Sequence, residues 1–253
     1  MIISIPSKNR LNYTAGKIFL DHTLFVEPQD FKTYSDLFPG TKIVNILENN
    51  KGFSYVLNFI VDYTLSQGEK YFLFVDDDIW DVKRKDKNLF QVDEFLNEAL
   101  ELIKKKNYAQ LGINFMGHGC FETEELLEDK AVWGMGLMDA EKIKSIGGYD
   151  KKLLIFSDYD ITAQLIMKGF KVGVWNKYLF LHKMKSQEGG AMTYYKQSEL
   201  IKTNCEYILK KYGELCKMFF NTKHGIWEVR LNWKEIKEKR EKNKLNNILS
   251  EFE

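Results

Sequence analysis

Short apolar runs closed by polar clusters alternate with longer stretches of helical spacing along the first half of the chain. Ile2 to Ile5, Leu24 to Val26, Lys42 to Leu47 and Tyr71 to Val75 are β-branched or aromatic runs. They end at Pro6, at Glu27-Pro28, at the polar stretch Glu48 to Gly52 and at an acidic triplet, and so read as buried strands. Phe53 to Leu65 and Val92 to Lys106 carry apolar residues at helical spacing. Further strands are expected over Ala109 to Phe115, Val132 to Met138, Lys171 to Trp175 and Tyr178 to Leu181, with the polar stretch up to Asp129 as an exposed loop or lid. Helices are expected over 140–146, stopped by Gly147-Gly148, over Asp158 to Lys168, capped by Ser157, and over Thr193 to Lys211. A last strand, Ile226 to Trp233, precedes a lysine- and glutamate-rich end that reads as a solvated helix or disorder.

Strands separated by helices imply an α/β fold with a mixed, mainly parallel central sheet flanked by helices, whose ligands bind beyond the carboxyl ends of the strands. At 253 residues, one core is expected over 1–233, with 234–253 as a charged tail. The formal charge of +1 means that contact with nucleic acid or anionic lipid must come from a local patch. No run approaches the ~20 apolar residues that span a bilayer, so no membrane insertion is expected. The N-terminus reads as the first strand instead of a signal peptide, and a cytoplasmic location is the corresponding expectation. Cys120, Cys205 and Cys216 lack CxxC spacing and indicate neither a disulfide framework nor a zinc site.

The chemistry concentrates in two places. Asp76-Asp77-Asp78 closes a buried strand, where adjacent carboxylates repel one another unless a cation or strong donors compensate. In extended chain Asp76 and Asp78 share one side, and that pair suits Mg2+ or Mn2+ with a diphosphate as co-ligand, whereas Asp77 faces the other way. A solvated acidic turn or a calcium loop fits the triplet equally well. The second place is Gly147-Gly148-Tyr149-Asp150, followed by Ser157-Asp158-Tyr159-Asp160 and a helix ending at Gly169. A carboxylate at a helix N-terminus is held ionised by the helix dipole and can take a proton from a hydroxyl, although a simple N-capped helix gives the same pattern.

These motifs resemble the GT-A glycosyltransferases of the inverting, family-two-like kind. The resemblance implies Asp158 as general base, with Ser157 in place of the usual glutamate, and Asp76, Asp78 and His182 as metal ligands. It also implies that Pro6, Ser7, Arg10, Glu27, Asn50, Gly52 and Asp77 border a nucleotide-sugar, with Asn58 near the same segment. It divides the domain into a nucleotide-sugar half, 1–115, and an acceptor half, 116–233, and puts Trp133, Gly148, Tyr149 and Asp160 beside the acceptor. Bland readings stand beside these: a structural histidine, an exposed Arg10, a turn at Asn50-Gly52. Gln187-Glu188-Gly189-Gly190, Cys205-Glu206-Tyr207 and Trp227 to Lys234 are similar to the TET-associated glycosyltransferases, encoded largely by bacteriophages and acting on hydroxymethylated pyrimidines. That likeness implies Gly189 and Gly190 at the diphosphate, Arg230 with Lys234 at double-stranded DNA, and a UDP-sugar donor. A flexible glycine turn and tryptophans packed in the core are the alternatives. So are a glycan or protein acceptor, and a nucleotide-binding module without turnover.

Overall fold

The computed structural model describes residues 1–182, 197–223 and 225–250. The strands of its main sheet are β1 (Ile2–Ser7), β2 (Thr23–Val26), β3 (Lys42–Asn45), β4 (Tyr71–Val75), β5 (Ile79–Arg84), β6 (Tyr108–Phe115), β7 (Leu126–Glu128), β8 (Met135–Asp139) and β9 (Lys171–His182). Among the described residues they form one nine-stranded sheet in the order β3-β2-β1-β4-β8-β6-β9-β5, with β7 paired to β9. The β3-β2-β1-β4 portion is parallel throughout; β8 then runs antiparallel to both β4 and β6.

Alternation along β4 shows how the layers form. Phe72 and Phe74 join the core on the side of helix Phe53–Ser66, whereas Leu73 and Val75 join Tyr34 and Phe95 on the other side, under helices Pro28–Leu37 and Val92–Lys106. The first of these cores runs on without a break into Ile201, Cys205 and Ile208 of helix Ser198–Tyr212 and Val229 and Leu231 of a C-terminal hairpin, β10 (Cys216–Asn221) with β11 (Ile226–Leu231).

Several expectations change. Helix Pro28–Leu37 was not expected; Pro28 supplies its first position, where a missing N–H costs nothing, and Tyr34 is its fully buried contact. β5 is an edge strand directly after the acidic triplet. The two expected late strands are one, β9, bulged opposite Ile113 and Asn114, with buried Asn176 satisfied by Asn114 and the Glu124 carbonyl. The expected lid is partly a strand, β7, and its end residue Asp129 is buried. Ser157 is not the cap of its helix: Phe156 holds that position with a left-handed φ of 62°. The charged end is a helix, Trp233–Ser250, and its first turns are not solvated all round, since Ile236 is fully buried and buried Arg240 pairs with Asp129 at 2.9 Å. Among the described residues no helix is long and apolar enough to cross a membrane.

Candidate active site

Sheet register brings the singled-out residues to one end. β4 ends at Val75, opposite Met135, and the Asp76 N–H donates to the Gly134 carbonyl at 2.8 Å. The triplet then turns into β5, whose Ile79 faces His182 at the end of β9. Trp133 therefore stands between the triplet and His182. Its ring lies 5.6 Å from the imidazole, which also packs against Phe115 and Phe180. Burial lowers the pKa of His182, and its Nε2 is buried with no hydrogen-bond partner among the described residues. An imidazole nitrogen in that state is one ligand short of satisfied.

The three aspartates are not equivalent. Burial raises Asp76 well above its ordinary value, and the charges of Asp78 and Asp77 add to the shift; Asp158 adds to it as well. Asp78 is raised too, by burial, with Arg10 pulling the other way. Asp77 is spoken for. Ser7 Oγ donates to its Oδ2 at 2.7 Å, and Arg10 Nη1 is paired with its Oδ1. Behind Ser7, the Tyr34 hydroxyl bonds to Ser7 Oγ at 2.8 Å and accepts the Arg10 N–H at 2.9 Å. The result is a closed ring of hydrogen bonds from a buried phenol to a buried carboxylate. Burial still moves Asp77 up to about 6 against the pull of Arg10. Arg10 Nη1 also stands 3.3 Å from Asp78 Oδ2.

Asp77, Ser7 and Arg10, expected beside a nucleotide, have polar groups that build the turn that presents Asp76 and Asp78. Tyr34, the fourth member, had no motif to mark it. On the parallel half, Glu27 is buried and accepts from Lys8 Nζ at 3.0 Å, Gln29 Nε2 at 2.7 Å and the Asn50 N–H at 3.1 Å. Lys8 also reaches Asn50 Oδ1 at 2.6 Å. Pro6 is half-buried just before them on β1, so this cluster sits at the carboxyl ends of parallel strands.

Asp158 lies at the second position of helix Ser157–Met167. Burial moves its pKa up to about 6, against the pull of the Tyr159 and Asp158 backbone N–H groups. The same helix meets the triplet's neighbourhood through Thr162, whose Oγ1 takes the Val132 N–H at 3.5 Å and donates to Gln110 at 3.1 Å.

Other expected site residues have partners within the fold. Asp160 is fully buried and held by Tyr212, Gln164 and Lys211, all at 2.7 Å. Gly52, at φ 86°, leaves no room for a side chain, since a Cβ would stand 2.3 Å from the Leu154 side chain. Asn58 clamps the Tyr149 backbone, accepting its N–H and donating to its carbonyl, both at 2.8 Å, and the close approach of Gly148 makes room for it. Tyr149 is buried, its hydroxyl pushed upward by burial and by Asp158. Arg230 is exposed on the hairpin, its guanidinium 5.3 Å over the Phe219 ring. Trp227 and Trp233 pack against the core. Gly189 and Gly190 lie outside the described residues.

Among the described residues no three acidic, imidazole or thiol groups form a ready-made metal cage. The donor set nonetheless fits a hard divalent ion: two carboxylates raised by burial, Asp76 further by the charge of Asp78, and a buried imidazole nitrogen one strand away with no hydrogen-bond partner among the described residues.

A parallel nucleotide-type half-sheet ending in an acidic turn, with a second carboxylate at a helix N-terminus beside it, defines a glycosyltransferase fold of the GT-A class. The sequence profile of the TET-Associated Glycosyltransferase family matches residues 1–191, and the chain belongs to that family. No curated protein matches the chain significantly. Among solved structures it resembles the mannosyltransferase PcManGT of Pyrobaculum calidifontis, in complex with GDP-Man and Mn2+, at 11% identity and a TM-score of 0.58, covering 83% of this chain and 64% of that one. It also resembles the glucosyl-3-phosphoglycerate synthase of Mycobacterium tuberculosis, in complex with Mn2+, UDP and phosphoglyceric acid, at 9% identity and a TM-score of 0.54, over 90% and 85% of the two chains. S. aureus TarS 1–349 is similar at 14% identity and a TM-score of 0.50, over 83% and 66%. The chain thus spans about two thirds of the length of two of these structures.

Proposed function

We propose that the protein transfers a sugar, with inversion, from a nucleotide-diphosphate donor to the hydroxyl of a 5-hydroxymethylpyrimidine in DNA, with a divalent metal. One observation carries the reading: Asp158, a carboxylate at a helix N-terminus whose pKa burial raises to about 6, is close enough to Asp76 for its charge to add to the rise that burial causes there. Two acids with separate duties at one end of a sheet are what displacement at a sugar carbon requires.

Asp76, Asp78 and His182 would hold the ion, which neutralises charge on the departing diphosphate. Mn2+ is favoured over Mg2+ by the nitrogen ligand and by its presence in the PcManGT and phosphoglycerate synthase complexes. Lys8, Glu27 and Asn50 border the donor's base and ribose, with Pro6 beneath. Asp158 Oδ accepts the proton of the acceptor hydroxyl as its oxygen bonds to the anomeric carbon and the bond from that carbon to the phosphate oxygen breaks. Trp133, Gly148 and Tyr149 lie on the acceptor side. The family's association with TET enzymes supports a modified DNA base as acceptor, and in this near-neutral chain Arg230 and Lys234 would meet its phosphate backbone.

The test is to incubate the protein with Mn2+, a panel of nucleotide sugars, and hydroxymethylated or unmodified DNA, and to weigh the digested nucleosides. A hexose or pentose added only to hydroxymethylated nucleosides is expected. Donor consumption with no gain in nucleoside mass would move the acceptor to a glycan or protein, and no donor consumption would reject turnover.

A further inference from the structure

The segment 150–160, which carries Asp158, is held from outside by helix Ser198–Tyr212, beyond the residues that match the family profile. Asn204 Oδ1 accepts the Leu154 N–H at 3.0 Å and the Ile155 N–H at 3.5 Å. Tyr207 donates to Asp150 Oδ2 at 2.8 Å, and Tyr212 donates to Asp160 Oδ1 at 2.7 Å. Lys211 does both: its Nζ stands 2.8 Å from Asp150 Oδ2 and 2.7 Å from Asp160 Oδ1.

Asp150 and Asp160 flank Asp158 in the chain, one before the left-handed turn at Phe156 and one in the helix behind it. A non-glycine residue at φ 62° is strained and persists only where its surroundings hold it. Without the ammonium, two carboxylates within reach of the same point would repel, and Asp160 is wholly buried.

We infer that Lys211 is a positioning residue for Asp158: by tying Asp150 to Asp160 it closes the loop between them and fixes where the Asp158 carboxylate stands. The inference rests on reading Asp158 as the base. It extends the functional unit past the family-matched region, because the base is then aimed by a helix outside it.

The experiment compares Lys211→Met and Lys211→Arg with the wild-type full chain, by steady-state kinetics with Mn2+ and by amide hydrogen exchange without substrates. For Lys211→Met, kcat should fall roughly 10- to 100-fold. The donor KM should hold, exchange should rise at 154–160 but not at 71–78, and Lys211→Arg should recover most of the loss. An unchanged kcat with unchanged exchange would overturn the inference. So would a loss shared by donor KM and by exchange throughout the sheet, which marks general damage. If Lys211→Met does not fold, Tyr207→Phe, which removes one bond to the same Asp150 oxygen, should shift both readouts in the same direction by less, and no shift would overturn the inference. Should the wild-type protein transfer no sugar at all, the reading of Asp158 as base fails, and the exchange data still decide whether Lys211 holds the segment.

Discussion

Asp158 and Asp76 come from opposite halves of the chain, yet they stand close enough that the charge of Asp158 adds to the rise that burial imposes on Asp76. The β4 strand delivers Asp76 to the sheet end, and a left-handed residue at the mouth of a helix delivers Asp158 there. Each approach follows from local rules, and their meeting follows from β8, which pairs with β4 just after the Val132–Thr162 contact.

The Arg10–Asp77 pair makes the acidic turn a stability element. Both side chains are less than one tenth exposed. Arg10→Met should therefore cost about 3–5 kcal/mol at pH 8 in urea denaturation, the usual consequence of leaving one buried charge alone. The sign of the pH effect follows from Asp77, whose pKa is already raised to about 6. At pH 5 the orphaned acid takes up a proton, so the loss should be smaller there than at pH 8.

A base with a pKa of about 6 sets the acid limb of the rate. Asp158 works only when ionised, so kcat/KM should rise with unit slope up to about pH 6 and level off above it. Asp76 and Asp78 also hold protons more tightly than ordinary aspartates. Mn2+ binding should release protons and weaken on acidification. Titration calorimetry in buffers of different ionisation enthalpy measures that release directly.

Gly52→Ala tests the packing between the two halves. The new methyl would meet the Leu154 side chain at 2.3 Å, on a backbone at φ 86° that L residues avoid. A stability loss of ~1–3 kcal/mol is expected. Because Leu154 belongs to the segment bearing Asp158, kcat should drop more than the donor KM changes.

If the acceptor is duplex DNA, the KM for DNA should climb steeply with salt while the KM for the nucleotide sugar barely moves. Arg230→Ala and Lys234→Ala should each lower the slope of log affinity against log salt by about one. A flat salt response would argue for an uncharged acceptor.

Strands β1, β2 and β4 and the helices at Phe53–Ser66 and Val92–Lys106 were legible because each is a run of buried residues with its own period. Asp76, Asp78, Asp158 and His182 were legible as acids and a histidine at element ends. Ser7, Arg10 and Asp77 were singled out, but not as partners of one another: sequence cannot tell that a serine and an arginine near the N-terminus will satisfy an aspartate at the end of the neighbouring strand, which lies far along the chain. The partners of Asp160 were hidden for the same reason, since Lys211 and Tyr212, which bind it, lie far along the chain. Helix Pro28–Leu37 carries a signal, proline at its first turn and Phe31 and Tyr34 at helical spacing, but two apolar positions in a polar stretch do not set it apart from the segment between two strands. β5 is an edge strand whose buried residues, Ile79 and Val82, are three apart across a register shift, so it lacks the alternation that marks a strand.

The most direct measurement sets Asp158→Asn beside Asp78→Asn, each assayed for Mn2+-dependent binding of the nucleotide and for transfer. The account predicts that Asp158→Asn binds metal and nucleotide like the wild type yet loses ~10²–10⁴-fold in kcat, whereas Asp78→Asn loses the metal-dependent binding itself. Transfer by Asp158→Asn at the wild-type rate, or undiminished Mn2+ binding by Asp78→Asn, would contradict it.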